Sequence, residues 1–282
     1  MSPPTPEPSG NESGSESDDQ YSSSSEGPRY TPQELGAIFL DLYQFLATLH
    51  FDPAHLKVPP AGGWPHITPE FCADFKSDYV LDVIRHLPYF AHHENQVAAF
   101  HYNSHLIDYS AWTEQDFAKG DEAAGQYDLY NDDGDVVKPE NLLGFAMGRE
   151  SFGRYMWLIG TEGCVIEEAV RAWDLQQGNV KDYFERLKQE YRELKLVPCL
   201  GKVTIEANHV PEAKEDLVIT KDQVYAQPEP WGTHLDVQYL RQLYRQHGWP
   251  QAFQEEDARR AVGELFESMP EAREDWRQDL YW

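Results

Sequence analysis

The amino-acid sequence predicts an α+β fold, in which a central and mostly antiparallel sheet is covered by packed helices. Apolar residues recur at helical spacing before residue 90 and after residue 180, whereas short apolar runs bounded by turn signals lie between them. The chain has 282 residues, of which 40% are apolar and 13% aromatic, so it can bury a sizeable core. We expect a single domain over 30–268, preceded by a disordered acidic Ser/Pro-rich tail over 1–29 and followed by an acidic aromatic tail over 269–282.

The N-terminal helical part begins at a capping box, in which Thr31 is followed by Pro32 and Glu34. The apolar residues that follow are spaced to form one buried helix face: Leu35, Ile38, Phe39, Leu42, Phe45, Leu46 and Leu49. Asp52 and Pro53 then predict the end of this helix, because proline disrupts a helix interior.

The stretch over 59–90 organises the first half of the chain, because it joins a Pro/Gly turn to two helix-start signals. The first signal begins at Thr68, and the second is Ser77, which precedes an apolar set at helical spacing. The members of that set, which we expect to face inward, are Val80, Val83, Ile84 and Leu87. Pro88 predicts the helix end, because the residue before proline avoids the helical region.

The middle of the chain carries the strand signals. The predicted strands are 97–102, 145–147, 155–159 and 164–170. Asp133-Gly134 is a two-residue hairpin signal, and the segment 160–163 predicts a turn between two adjacent strands. Together these features favour antiparallel pairing.

The last third of the chain is mainly helical by the same criteria. Asn179 is a predicted N-cap, and Pro198 is a predicted end, for a helix with this buried stripe: Val180, Tyr183, Phe184, Leu187, Tyr191 and Leu194. Thr233 predicts the start of the next helix and Gly248 its end. The remaining predicted pieces are short strands or loops over 203–205 and 217–219, a helix over 235–247 and a last helix over 255–268.

Charge and cysteine content restrict the partners and the compartment. With 23 basic and 49 acidic residues the formal net charge is −26, which disfavours nucleic acid and anionic membranes as partners. Three scattered cysteines and the lack of a Cys-x-x-Cys pair are typical of a reducing compartment. Neither a signal peptide nor a membrane-length apolar run is present in the sequence, so we expect the cytoplasm, with the nucleus as the alternative.

Recognised catalytic signatures are missing from the sequence. It contains no phosphate-binding loop, no dinucleotide fingerprint, no Gly-x-Ser-x-Gly and no His-Glu-x-x-His. The sequence therefore favours a non-enzymatic protein and predicts no cofactor. The alternative is a small-molecule or metal-dependent enzyme built on five histidines within twenty residues, namely His86, His92, His93, His101 and His105. In that alternative the metal ligands would be His92, His93, His101 and His105.

Aromatic residues are more numerous than turns and a core of this size require. Some of them are candidates to line a recognition groove, because Trp and Tyr are enriched at binding hot spots. The candidate binding residues are Trp64, Tyr89, Trp112, Trp157 and Trp249. An aromatic groove on an acidic protein would suit a protein partner or a basic peptide with an apolar anchor.

Several motifs resemble an uncharacterised family that is common in filamentous fungi. They are Pro59-Pro60-Ala61-Gly62-Gly63-Trp64-Pro65-His66-Ile67-Thr68, Arg85-His86-Leu87-Pro88-Tyr89 and Tyr244-Arg245-Gln246-His247-Gly248-Trp249-Pro250. The resemblance covers about 30–255 and implies no activity. More distantly, the hairpin over 155–170 and the helix over 180–194 resemble the SUKH superfamily, which includes regulators of fungal cell-wall synthesis and bacterial toxin-immunity proteins. That resemblance implies a non-catalytic binding module with an acidic surface.

Three hypotheses follow for the function. The first is a non-enzymatic, intracellular interaction or regulatory module with an acidic, aromatic-rich surface. The second is the enzyme that uses the cluster from His86 to His105. The third is a structural subunit of an oligomer.

Overall fold

The computed structural model describes residues 27–72, 75–91, 99–101, 104–118, 129–130, 134–148, 153–169, 176–199, 203–214, 217–227 and 234–267. Its helices and antiparallel sheets confirm the α+β class. The helices are α1 (Pro32–Ala47), α2 (Asp78–His86), α3 (Val180–Arg192), α4 (Lys221–Ala226), α5 (His234–Gln246) and α6 (Glu255–Glu267), and residues 114–118 are also helical. The strands are β1 (Leu56–Lys57), β2 (Tyr89–Phe90), β3 (Ser104–Leu106), β4 (Leu142–Gly148), β5 (Arg154–Ile159), β6 (Cys164–Ala169), β7 (Gln176–Asn179), β8 (Leu196–Cys199) and β9 (Val203–Glu206). Residues 1–26 of the predicted tail over 1–29 lie outside the described residues, and so does the whole predicted tail over 269–282.

Helix α1 begins at the capping box that the sequence predicts. The Glu34 backbone N–H donates to the Thr31 hydroxyl, and the Thr31 backbone N–H donates to the Glu34 carboxylate at 2.8 Å. These hydrogen bonds from Thr31 lower the pKa of Glu34. Five residues of the predicted stripe are fully buried: Leu35, Phe39, Leu42, Leu46 and Leu49.

Of the two helix-start signals in 59–90, only the second starts an α-helix. Ser77 caps α2 by accepting from the Val80 backbone N–H, and the helix ends before Pro88 as predicted. The prediction of a helix after Thr68 is wrong, because the chain there forms only a 3₁₀ turn over Glu70–Cys72. The apolar residues after Thr68 do not continue one helix face, since Phe71 and Cys72 are buried but Phe75 is exposed.

The central sheet has five antiparallel strands in the order β3-β4-β5-β6-β7. The predicted strands over 145–147 and 155–159 are confirmed as parts of β4 and β5, and the turn over 160–163 joins β5 to β6. An isolated bridge pairs Tyr130 with Val136 around Gly134, where a hairpin is predicted. Of the predicted strand over 97–102, residues 97, 98 and 102 lie outside the described residues, and residues 99–101 form no strand, with only an isolated bridge from His101 to Ser104. Strand β7 was not predicted, because its sequence Gln-Gln-Gly-Asn has no apolar alternation.

The two faces of the sheet carry separate apolar clusters. On one face, helices α1 and α3 pack through three aromatic rings, with centroids 5.3 Å apart for Phe39 and Phe145 and 4.9 Å apart for Phe39 and Phe184. All these ring pairs meet edge to face, the geometry that aromatic quadrupoles favour. The opposite face carries a smaller cluster, formed by Leu129, Val137, Leu142, Trp157, Ile159, Cys164 and Ile166.

Helices α1 and α2 approach most closely at Gly36. A Cβ atom at Gly36 would lie 2.5 Å from the backbone carbonyl oxygen of His86, which is too close for any real contact. We therefore expect Gly36→Ala to lower the free energy of unfolding by about 1–3 kcal/mol through overpacking, although alanine favours a helix by about 1 kcal/mol over glycine. Urea unfolding of the variant measures this change.

Gly178→Ala is the matched control, because a Cβ atom at Gly178 would meet nothing within 4 Å. We expect its free energy of unfolding to stay within about 0.5 kcal/mol of the parent protein. Equal destabilisation by both substitutions would contradict the close approach at Gly36.

The C-terminal third differs from its prediction at the end of α3, and it contains two elements that were not predicted, α4 and β8. Helix α3 starts at Asn179 as predicted, but it ends at Arg192 and the chain reverses at Leu194, whose φ is 55°. Pro198 therefore does not end the helix and lies instead in β8, which pairs with β9. Helix α5 ends as predicted at Gly248, whose φ of 83° favours glycine.

Arg241 in α5 is buried at 2% exposure, although a charged residue is rarely found in a core. Its guanidinium donates to the backbone carbonyls of Leu194, Ala207 and Val210 at 2.8–2.9 Å. Burial lowers the pKa of this group. Arg241 thus attaches α5 to the turn after α3 and to the loop after β9.

Candidate functional site

The five candidate aromatic residues do not form one surface. Tyr89, Trp157 and Trp249 are buried, with exposures of 2%, 8% and 6%, while Trp64 and Trp112 are half-buried and pack against the main core. Trp64, Tyr89 and Trp112 belong to one aromatic cluster. The ring centroid of Tyr89 lies 6.2 Å from that of Trp64 and 6.1 Å from that of Tyr109, which in turn lies 4.6 Å from that of Trp112.

The polar atoms of these aromatic side chains mostly bond within the fold. The indole N–H of Trp64 donates to the Leu87 carbonyl, and that of Trp249 donates to the Tyr191 carbonyl, both at 2.9 Å. Such bonds are typical of structural aromatic residues. Trp157 differs, because it lies on the opposite face of the sheet and its indole N–H forms no hydrogen bond of ordinary geometry with any described residue.

The candidate histidines are only partly described. His92 and His93 lie outside the described residues, so their predicted metal role stays a prediction. His86 is the last residue of α2. Its Nδ1 donates to the Asp82 carbonyl at 2.8 Å, and its Nε2 lies 3.2 Å from the side-chain nitrogen of Gln33. Within the ranges that the structure describes, no group of three or more His, Cys, Asp or Glu side chains is arranged to hold a metal ion.

His101 lies between two carboxylates. Its Nδ1 is 2.9 Å from Glu206, and its Nε2 is 4.0 Å from Glu167. Arg154 contacts both acids, with an Nη2–Oε2 distance of 2.8 Å to Glu206 and an Nε–Oε1 distance of 3.5 Å to Glu167. The Tyr183 hydroxyl donates to Glu167 at 2.8 Å. We call these five residues the His101 network.

The His101 network strongly favours the charged form of one acid. Burial alone would raise the pKa of Glu206, but the contacts with His101 and Arg154 outweigh burial and lower it to about 2. At Tyr183, burial and the neighbouring Glu167 raise the pKa well above its usual range. Because each charged member faces an opposite charge, the network ties β5, β6, β9 and α3 together.

A groove lies between the outer sides of α1 and α3 and encloses about 400 Å³. It is lined by Glu34, Ala37, Ile38, Asp41, Lys181, Phe184 and Glu185. Ile38 is half-buried and Phe184 is buried, so they give the groove an apolar floor. Ala37, Asp41 and Glu185 are exposed. We call this feature the α1–α3 groove.

The charge of the α1–α3 groove is unevenly distributed. Three carboxylates line it, from Glu34, Asp41 and Glu185, against the single ammonium group of Lys181. Lys188 is only 4% exposed and forms ion pairs with both Asp41 and Glu185. One buried cation therefore faces two exposed anions, which leaves the rim acidic.

Sequence reasoning missed the groove and the His101 network. Both depend on residues far apart in the chain, such as Asp41 and Lys188 or Arg154 and Glu206, and no local signal reports such pairs. The only available signal for the groove was that exposed acids follow the outer sides of the two helices opposite their apolar stripes. That signal is shared by most surface helices.

None of the described helices combines the length and the apolar composition that a membrane span requires. Comparison with known proteins identifies no relative, because no family model, no curated protein and no solved structure matches the chain. The resemblances to the fungal family and to the SUKH superfamily therefore stay predictions.

Proposed function

We propose that this protein is a non-enzymatic interaction module that binds a basic, apolar-anchored segment of a partner protein. The observation that carries the proposal is the α1–α3 groove, with its apolar floor and its acidic rim. A helical or extended segment could place an aliphatic side chain over Ile38 and Phe184 while its Lys or Arg side chains face Asp41 and Glu185.

Electrostatics support a basic ligand. The net charge of −26 attracts cationic partners at long range, and the acidic rim of the groove orients them at contact. An acidic segment would instead place its carboxylates against Glu34, Asp41 and Glu185. We therefore expect affinity to fall as ionic strength rises, since salt screens exposed charges.

A binding role also fits the state of the other polar groups. The members of the His101 network already pair with one another, which suits a stabilising role. All three cysteines are buried and none forms a disulfide, which supports a reducing compartment such as the cytoplasm or nucleus.

The proposal predicts that a groove substitution weakens binding more than the same substitution elsewhere on α1. Ala37→Arg would place a long cation in the groove, so we expect it to weaken binding of a fluorescein-labelled model helix of Leu and Lys by about tenfold. Fluorescence anisotropy measures the dissociation constant. A matched helix of Leu and Glu should not bind.

Gln44→Arg is the matched control, because Gln44 is exposed on α1, does not line the groove and gains the same charge. We expect it to change the affinity by less than about twofold. Equal losses for both variants would show that only bulk charge attracts the helix, and the proposed function would then be wrong.

A further inference from the structure

A second candidate site lies on the opposite face of the sheet from the α1–α3 groove. Tyr155 and Trp157 are two residues apart on β5, so their side chains share this face, and their rings stack with centroids 6.5 Å and planes 13° apart. Glu168 on β6 is directly opposite Tyr155, and Gln177 on β7 is opposite Ile166, which itself faces Trp157. We call Tyr155, Trp157, Glu168 and Gln177 the sheet shelf.

Three buried polar atoms of the sheet shelf form no hydrogen bond of ordinary geometry within the part of the chain that the structure describes. They are the indole N–H of Trp157, one carboxylate oxygen of Glu168 and the side-chain amide nitrogen of Gln177. Buried polar groups in folded proteins nearly always have a partner, so each such atom needs an explanation. Because these atoms lie on three adjacent strands and on one face, one ligand could satisfy all of them.

Glu168 indicates the charge of that ligand. No charged partner of Glu168 is found among the described residues, and burial raises the pKa of its carboxyl group. The indole N–H of Trp157 lies near that carboxylate and partly offsets this rise, although the two groups form no hydrogen bond of ordinary length and angle. A cation beside Glu168 would favour the charged form of its carboxylate.

We propose that the sheet shelf binds the side chain of an arginine supplied by a partner protein. A planar guanidinium can stack on the ring of Tyr155 and donate two hydrogen bonds to Glu168, which a compact ammonium group cannot do together. The peptide carbonyls next to that arginine can accept from Trp157 and Gln177. A ligand with a carboxylate or phosphate group would be repelled by Glu168.

The test uses the whole protein with ¹⁵N-labelled tryptophan side chains. The Trp157 indole signal is assigned from its loss in Trp157→Phe, and the protein is titrated with acetyl-Gly-Arg-Gly-amide. We expect this signal to move because the indole N–H gains an acceptor. The same peptide with citrulline, which has nearly the same shape without the charge, should bind about tenfold more weakly.

Glu168→Gln provides a second variant, which keeps the size of the side chain and does not depend on the folding of Trp157→Phe. We expect it to abolish the preference for arginine over citrulline. Glu185→Gln removes one carboxylate from the α1–α3 groove instead and should leave the preference unchanged. The two substitutions therefore distinguish recognition of arginine at the sheet shelf, which depends on Glu168, from binding in the α1–α3 groove, which depends on Glu185. Either site can fail its test without the other.

Two results would overturn the inference. One is an unchanged Trp157 signal at saturating peptide. The other is an equal response to the arginine and citrulline peptides in the parent protein, which would show that the shelf does not recognise a cation.

Discussion

Replacing Arg241 with methionine should lower the free energy of unfolding by about 3–5 kcal/mol. The guanidinium donates to the carbonyls of Leu194, Ala207 and Val210, and Arg241 is almost fully buried. Methionine preserves most of the apolar volume but offers no donor. The carbonyls of Leu194 and Val210 lose this donor at a cost of about 1–3 kcal/mol each, reduced where water can enter. The Ala207 carbonyl still accepts from the Val210 backbone N–H at 3.0 Å.

The position of Arg241 explains why this effect should be large. The three carbonyls belong to the turn after α3 and to the loop after β9, and neither segment is a regular element. Their backbone groups therefore have no helix or sheet ladder to satisfy them. The guanidinium of Arg241 supplies hydrogen-bond donors to these carbonyls, and the same bonds attach α5 to both segments.

Urea unfolding monitored by circular dichroism measures the loss at Arg241. Arg245→Met is the matched control, because Arg245 lies one turn further along α5 and forms its ion pair with Glu212 at the exposed surface. We expect the control to cost less than about 1 kcal/mol. If Arg241→Met costs no more than Arg245→Met, the three carbonyls do not depend on the guanidinium.

Glu206→Gln should lower the free energy of unfolding at neutral pH by about 2–3 kcal/mol. The substitution removes the charge that faces both His101 and Arg154 in the His101 network. Glutamine can still accept one hydrogen bond, so the loss should be smaller than that at Arg241. Within the network, the positive charge of Arg154 would then be paired with Glu167, whose carboxylate is 3.5 Å away.

The pH dependence of this effect has a definite sign. The pKa of Glu206 is lowered to about 2 in the folded protein, below its usual value of 4.5. A carboxyl group with a lowered folded pKa stabilises the fold above its unfolded pKa, and this contribution is lost as the pH falls through the folded pKa. The stability difference between the parent protein and Glu206→Gln should therefore be constant near pH 7 and should shrink between 4.5 and 2.

Urea unfolding of both proteins across this pH range tests the expectation. Glu256→Gln, at an exposed position on α6, is the control for removal of one carboxylate from an acidic protein. We expect the control to follow the parent protein at every pH. A constant difference for Glu206→Gln down to the lowest pH would rule out the proposed charge pairing.

Capping residues in the sequence predicted several helix ends correctly. The capping boxes and caps at Thr31, Ser77 and Asn179 each start a helix, and Gly248 ends one. These signals work because a cap bonds to backbone groups within three residues and needs no distant partner. The apolar stripe of α3 is likewise buried as predicted.

The sequence-based predictions failed at Thr68, at Pro198 and at β7, each for a different reason. Thr68 precedes buried residues that do not continue one helix face, so only a 3₁₀ turn forms. Pro198 is compatible with the short β8–β9 hairpin, in which it faces Thr204. Strand β7 has polar residues and exists because β6 provides a ladder partner.

Functional residues were harder to predict from the sequence than helices and strands. The sequence indicated an aromatic and acidic recognition surface, but it could not separate structural aromatic residues from available ones. Tyr89 and Trp249 bond to carbonyls inside the fold, whereas the indole N–H of Trp157 forms no hydrogen bond of ordinary geometry among the described residues. Only burial and hydrogen-bond geometry make that distinction.

The sequence by itself determined the α+β class, the caps and the buried helix faces, because these features depend on residues within about one helical turn of each other. The tertiary structure decided which charged groups meet. Arg241 reaches carbonyls more than thirty residues away, and Asp41 pairs with Lys188 across 147 positions. Such contacts depend on how helices and strands pack, and the free energy of that packing is not contained in any local pattern.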